Sequence, residues 1–187
     1  MKIFIYVALI LLPLFAYGNI SKNNNSTNWD WKISESSKVK NDFAASLILT
    51  PDKDWKEKWN TPSDETPSFT EVDTVKIGDE LNVLIFFANP KPDSKNNIKI
   101  LCDIKAIRPD KSMSINQKGV VCASGQLEGE PTHIRLSNLL VKFVAEASDP
   151  KGKWAIEIGI EDVNRKTKLE LKSQYEFIDD PKPNQVK

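Results

Sequence analysis

Hydrophobic and polar residues alternate along four stretches of the chain. They are "GDELNVLIFFANP" (78–90), "NIKILCDIKAIRPD" (97–110), "GKWAIEIGIED" (152–162) and "LELKSQYEF" (169–177). In the last of these, Leu169, Leu171, Tyr175 and Phe177 share one face, opposite charged and polar residues. Such a period of two predicts a half-buried antiparallel strand with one face in the core. Further candidate strands are 43–50 and 139–147, with weaker signals at 119–124 and 132–136.

Turn signals separate these strands. "SDPKGK" (148–153) places Asp149, Pro150 and Gly152 where a type I turn favours them. "IRPDKS" (107–112) predicts a second proline-initiated turn, and "DVNRKT" (162–167) predicts a hairpin between the last two strands. About seven or eight short strands joined in this way predict an all-β fold, an immunoglobulin-like antiparallel β-sandwich, with a β-barrel as the alternative.

The first 18 residues have the three regions of a secretory signal peptide. Lys2 precedes an apolar run that ends at Phe15, and the small-residue site 16–18 predicts cleavage after Gly18. The run is about 13 residues, shorter than the roughly 20 that span a bilayer, and Pro13 interrupts it. The predicted organisation is a signal peptide (1–18), a polar flexible leader (19–42), the β-sandwich domain (43–178) and a disordered tail (179–187), with no membrane span after signal removal.

The charge balance argues against a nucleic-acid-binding protein. The chain has 26 basic and 26 acidic residues, so removal of Lys2 with the signal peptide leaves a net charge of about −1. Binding to a phosphate backbone needs a basic surplus. The arginines are Arg108, Arg135 and Arg165 alone. Because arginine forks are the usual partners of phosphate and carboxylate groups, their scarcity weakly disfavours sites for anionic ligands.

Cys102 and Cys122 are the two cysteines of the chain. An exported protein meets an oxidising compartment, so an even pair is first interpreted as one disulfide bond. The alternative is two buried free thiols, because Cys102 falls on the apolar face of its predicted strand. The sequence favours the disulfide and leaves both interpretations open.

The residue types of common catalytic and metal sites are scarce. His133 is the single histidine, so histidine-dependent nucleophilic catalysis would rest on it alone, and multi-histidine metal sites are excluded. A surface or strand-edge position is the favoured interpretation for it. Glycine-rich phosphate loops and the common hydrolase and calcium-loop motifs are absent from the sequence. We therefore predict a protein that is not an enzyme and that carries no cofactor or metal.

Paired carboxylates are the remaining route to hydrolysis, because glycoside hydrolysis needs two of them flanking a cleft. Asp149, Glu157, Glu161 and Asp162 lie near one predicted hairpin. The alternation places the two glutamates on the solvated face of their strand. Surface charges are therefore favoured over a catalytic pair.

Five tryptophans are the other candidates for a binding site. Trp154 alternates with isoleucines and is predicted to lie in the core. Trp55 and Trp59 are four residues apart, which puts both on one face of a short helical turn near 52–60. So short a helix needs an apolar surface to lie on, which favours an anchor for the fold over a ligand platform. Trp29 and Trp31 lie in the polar leader and could contact either the domain or a partner.

The order of motifs resembles a known family. It consists of "DKDW" (52–55), "VKIGDELNVLIFFANP" (75–90), a strand ending in "IRPDKS" (107–112), and the block from "LSNLLVKF" to "SQYEF" (136–177). This order is similar to an uncharacterised family of small exported proteins of Gram-negative bacteria. Its last block also resembles the closing strands of macroglobulin-type and other immunoglobulin-like domains. The resemblance implies the fold over about residues 45–178 and brings no catalytic residues.

Together these features predict an exported, non-enzymatic protein, periplasmic or secreted, that binds another protein of the cell envelope. A carbohydrate-binding module is the alternative, since exposed tryptophan rings stack on the apolar faces of sugars. Under either function, the candidate contacts for a ligand or partner are Trp29, Trp31, Trp55 and Trp59. Strand addition at a sheet edge is one common way in which such domains bind proteins.

Overall fold

A computed structural model describes the backbone of residues 2–6 and all of residues 32–61 and 67–179. Its strands are β1 (Lys2–Tyr6), β2 (Ser37–Lys40), β3 (Phe43–Thr50), β4 (Thr74–Val75), β5 (Glu80–Ala88), β6 (Asn97–Ile107), β7 (Met113–Gln126), β8 (Arg135–Leu136), β9 (Leu140–Val144), β10 (Gly152–Asp162) and β11 (Thr167–Phe177). One helix, α1 (Trp55–Trp59), lies between β3 and β4. In the described part of the chain, no helix has the length and apolar character needed to cross a membrane.

The strands form two sheets. The first has the order β1-β9-β5-β3-β2, with β8 also paired to β5, and the second has the order β4-β11-β10-β6-β7. All neighbours are antiparallel except β4, which runs parallel to β11. The chain passes repeatedly between the two sheets, and each sheet is an open row of strands with two edges. The predicted immunoglobulin-like β-sandwich is therefore confirmed, and the barrel alternative is wrong.

The core lies between the two sheets and is built from the alternating faces. On β6, Ile98, Ile100, Cys102, Ile104 and Ala106 are all buried, while Lys99 between them is exposed. Trp154 is 1% exposed and packs in the same core, as predicted. Burial of such apolar surface is the main favourable contribution to folding, about 25 cal/mol per Å².

Three details differ from the sequence-based predictions. The sheets contain six and five strands, because several elements are only two to five residues long. One of them is β2, which falls within the predicted leader. The turn predicted at 149–152 closes three residues earlier, because Asp149 N–H donates to Glu146 O over 3.0 Å. The hairpin of 162–167 forms as predicted, with Asp162 opposite Thr167.

The cysteines form the predicted disulfide bond, Cys102–Cys122, with 5.8 Å between their Cα atoms. It joins the neighbouring strands β6 and β7, and both cysteines are fully buried. The β6–β7 register shifts between Ile100 and Leu101, where Ile100 lies opposite Ala123 and Leu101 opposite Val121. Cys122 is therefore the extra residue of a β-bulge, directed into the core.

Candidate functional site

A second apolar cluster lies on the outer face of the first sheet, away from the core. Its buried members are Trp55, Leu84 and Phe86, and its half-buried members are Ile48, Trp59, Phe69, Ile134, Leu136 and Leu140. β5 supplies its centre, because the run "LIFFA" (84–88) is apolar on both faces of the strand. We call this set the outer-face cluster. The continuous run was the sequence signal for a strand covered on both faces, and alternation alone missed it.

Residues 52–61 and 67–70 cover part of this cluster, and Asp52 ties them to the sheet. Its carboxylate accepts hydrogen bonds from Lys58 Nζ at 2.7 Å and from Thr70 N–H at 2.9 Å. Its backbone carbonyl accepts one from Asn82 Nδ2 on β5 at 3.2 Å. Burial by itself would raise the pKa of the Asp52 carboxyl, but the hydrogen bonds from Lys58 and Thr70 outweigh burial and lower the pKa to about 2.

The two tryptophans of α1 both contact the sheet, but to different extents. Trp55 is 7% exposed, so its predicted burial is confirmed. Trp59 is only half-buried, with its ring centroid 5.3 Å from that of Phe86. The ring centroid of Phe69 lies 5.6 Å from that of Phe86 as well. The pair therefore does not present two exposed rings side by side, and Trp59 alone keeps substantial access to solvent.

The other residues considered in the sequence do not belong to the outer-face cluster or lie outside the described part of the chain. Trp29 and Trp31 lie outside the described residues. His133 is half-buried in the loop before β8, and burial followed by the nearby Arg135 charge lowers its pKa. Arg135 organises that loop, because its guanidinium donates to four backbone carbonyls, those of Glu128, Glu130, Pro131 and His133, over 2.7–3.1 Å. No local sequence pattern predicts this role of Arg135.

The carboxylates near the last hairpin do not converge. Glu157 is paired with Lys105 at 3.7 Å on the solvated face of β10. Asp162 is instead fully buried, where it accepts a hydrogen bond from Lys91 N–H at 2.7 Å and is paired with Arg165. Within the described ranges, no group of three or more His, Cys, Asp or Glu side chains could hold a metal ion. These acids stabilise loops and strand pairs.

A small cleft opens at one end of the sandwich. Trp154 and Tyr175 line it with their rings stacked at 6.3 Å, together with Asp79 and Asp149. The Trp154 indole N–H donates to Pro150 O, and burial raises the pKa of the Tyr175 hydroxyl. The cleft has room for about one water molecule, so it cannot take a sugar ring.

The edges of the first sheet complete the candidate surface. β1, whose residues fall within the predicted signal peptide, pairs antiparallel with β9. β9 also contributes Leu140 to the outer-face cluster. The cluster and the β9 edge are thus adjacent, and both are surfaces on which another chain could pack.

No family model matches the chain, and no curated protein matches it significantly. Solved structures resemble it at low scores. A family 123 glycoside hydrolase from Clostridium perfringens is 13% identical, with a TM-score of 0.40, over 74% of this chain and 28% of that one. The CARDB domain of a Pyrococcus furiosus protein, solved in complex with di-metal ions, is 8% identical, with a TM-score of 0.37, over 79% of this chain and 99% of that one.

The alkylpurine DNA glycosylase AlkC from Pseudomonas fluorescens, bound to DNA, is 10% identical with a TM-score of 0.37, over 72% of this chain and 30% of that one. The chain therefore spans less than a third of the hydrolase and of the glycosylase. Similarities this distant carry no argument about function, and the fold assignment rests on the strand order. The resemblance to an exported bacterial family stays a prediction.

Proposed function

We propose that this chain is an exported, non-enzymatic β-sandwich that binds another protein of the cell envelope, in the periplasm or outside the cell. The outer-face cluster is the observation that carries the proposal. It places half-buried apolar side chains from α1, β8 and β9 around the buried Phe86. Apolar patches of this kind, rimmed by polar residues, are typical of protein interaction sites.

Export is supported by the disulfide bond between two fully buried cysteines, since such bonds persist in oxidising compartments. The signal-peptide pattern of residues 1–18 points the same way. The non-enzymatic assignment is supported by the structural use of the reactive side chains. His133 is held beside Arg135, and Asp162 is buried in a loop contact.

Site-specific photocrosslinking in the producing cells tests the proposal. A benzophenone amino acid is placed at Trp59, in the outer-face cluster, or at Met113, which is 55% exposed on the second sheet. A discrete crosslinked protein from position 59, with none from the matched position 113, is the expected result. Repeated recovery of an uncrosslinked monomer from every surface position would overturn the proposal.

Carbohydrate binding is the second candidate, and the partial exposure of Trp59 is the observation that favours it. A single aromatic ring stacked on a sugar contributes little binding free energy, so weak binding is expected. The test is tryptophan fluorescence during titration with glycans and peptidoglycan fragments, comparing the native chain with Trp59→Phe. A response that disappears in Trp59→Phe supports this function, and the absence of any response across a broad panel excludes it.

A further inference from the structure

The edge of β9 is covered by the chain's own N-terminus. Residues 2–6 pair with it in antiparallel register, from Lys2 opposite Val144 to Tyr6 opposite Leu140. On its other side, β9 pairs with β5 from Glu80 to Val83. β1 is therefore the outermost strand of the first sheet, and β9 lies inside it.

Signal cleavage after Gly18, as the sequence predicts, would remove β1 as a unit. The backbone N–H and C=O groups that β9 directs to that side would then lose their partners. Unpaired backbone groups on a regular strand are a template for another strand. The mature protein would therefore carry an acceptor edge that the precursor does not expose.

This edge lacks the features that protect the edges at β7 and β2. β7 has three register shifts against β6 and left-handed backbone at Gly119 and Gly125, which interrupt a flat edge. β2 is four residues long, and the chain just before it is tied to the second sheet by a hydrogen bond from Lys172 N–H to Glu35 O. β9 pairs residue by residue without a shift on both sides.

We propose that the β9 edge of the mature chain is where the partner binds, by adding an extended segment antiparallel to Leu140–Val144 in the place of β1. This inference rests on the proposed function and specifies its surface. Ile3 and Ile5 stand opposite Phe143 and Val141, which are buried on the core side of β9. The expected partner is thus a protein segment of about five residues with apolar residues at the two corresponding positions.

A second copy of this chain fits the edge less well. Two β9 strands paired antiparallel with Leu140 opposite Val144 would place Lys142 opposite its own copy. Like charges directly opposite destabilise a strand pair. In the structure Lys142 already has its counter-ion, Glu80, at 2.6 Å within the same sheet. A neutral residue at the position of Phe4, as in β1, is therefore the better match.

The test uses the mature chain, exported through its own signal peptide, with its first residue confirmed by mass spectrometry. The probe is a peptide of residues 2–6 flanked by lysines for solubility, titrated into ¹⁵N-labelled protein. We expect the amide signals of Leu140–Val144 to shift and to become protected from exchange, with β7 unchanged. The peptide with Ile3→Ser and Ile5→Ser should bind at least about tenfold more weakly, because it loses the apolar residues at the two positions paired with the buried Phe143 and Val141.

Strand addition also requires particular backbone N–H groups of the peptide to be free, which gives a second test. In an antiparallel pair only alternate residues hydrogen-bond to a given neighbour. Peptides N-methylated at residues 3 and 5, or at residues 2, 4 and 6, should therefore behave oppositely, one losing binding and the other retaining it. The refolded full chain, in which residues 2–6 already occupy the edge, should bind the peptide at least about tenfold more weakly than the mature chain.

Several outcomes would overturn the inference: no shift in β9, shifts centred elsewhere, equal effects of the two N-methylation patterns, or a mature protein that still begins at Met1. A dimer of the mature chain joined through β9 would also overturn it, in favour of self-association. Photocrosslinkers at Lys142 on β9 and at Lys118 on β7 distinguish a failure of the β9-edge inference from a failure of the proposed function. A partner captured from position 59 or 118 but not from 142 leaves the proposed function standing, whereas no partner from any position ends both.

Discussion

Lys168 crosses directly over Gly159, where a Cβ atom would stand 2.7 Å from Lys168 Cε. From β11 its ammonium group passes over β10 and reaches Asp103 on β6, at 2.6 Å. The hydrogen bond from Lys168, followed by that from Gly119 N–H, lowers the pKa of the Asp103 carboxyl. A glycine inside a strand often marks such a close approach. Here it lets one ion pair span three strands.

Gly159→Ala should displace Lys168 and release Asp103. We expect the pKa of Asp103 to rise toward its ordinary value, measured by NMR titration of the carboxyl carbon. Stability should change by no more than about 1 kcal/mol, because loss of a partly exposed ion pair is offset by the lower backbone entropy of alanine in the unfolded chain. Lys168→Ala is the matched control and should raise the same pKa. An unchanged Asp103 pKa in Gly159→Ala would contradict the packing described.

Asp52→Asn should loosen the covering residues 52–61 and 67–70. The folded pKa of about 2 lies below the ordinary 3.8, so the carboxylate contributes stability above about pH 4 and loses it as the pH falls toward 2. We expect Asp52→Asn to lower the free energy of unfolding at pH 7 by about 1–2 kcal/mol. Its stability should also depend less steeply on pH between 4 and 2, as followed by urea denaturation.

Asp54→Asn is the control for this substitution. Asp54 also pairs with Lys58, at 3.6 Å, but its side chain is 62% exposed. A surface pair of this kind is worth little, so the effect should stay within about 0.5 kcal/mol. Equal losses for the two variants would show that Asp52 acts only as a surface charge, contrary to its contacts with Thr70 and Asn82.

Arg135→Lys should disorder the loop 128–134. Arg135 is 8% exposed, and its guanidinium donates hydrogen bonds to four backbone carbonyls. One ammonium group cannot reproduce this geometry. We expect a loss of about 2–4 kcal/mol and faster proteolysis within the loop, measured by chemical denaturation and limited digestion. Arg108 is half-buried and its guanidinium donates one solvent-exposed hydrogen bond to Met113 O, so Arg108→Lys should cost under about 1 kcal/mol. Intact loop protection in Arg135→Lys would refute the role of the four bonds.

Sequence alternation predicted β6, β10 and β11 because each has one face in the core and a largely polar face opposite, and it predicted β5 from its core face. It missed the outer burial of Phe86, since that depends on Trp59 and Phe69, which lie far away in the chain. The sequence favours a surface charge at Asp162, whereas the fold buries it, and its carboxylate accepts a hydrogen bond from Lys91 N–H, 71 positions away. Both errors arise from contacts between distant segments, which no local pattern encodes.

The hairpin of β2 and β3 had a local signal that was overlooked. Asn41 and Asp42 both have positive φ, 49° and 63°, and join strands paired from Lys40 opposite Phe43. Two left-handed residues match the twist of a two-residue hairpin, and Asn and Asp tolerate that backbone better than most residues. The motif "ND" before "FAASLILT" is therefore consistent with a strand on each side, although the polar composition up to residue 42 predicts a flexible leader. β2, in contrast, has too few apolar residues to show alternation.

Trp55→Ala and Trp59→Ala should differ in their cost although the residues are one helical turn apart. Trp55 is 7% exposed and packs in one cluster with Leu84 and Phe86, so its truncation should lower the free energy of unfolding by about 3–5 kcal/mol. Trp59 is half-buried and meets mainly the Phe86 ring, so about 1–2 kcal/mol is expected. Urea denaturation followed by circular dichroism measures both, since it does not depend on the deleted fluorophore. If the two losses are equal, α1 packs symmetrically on the sheet. Trp59 would then be an anchor for the fold in the same sense as Trp55, and it would have no exposed surface left for a partner.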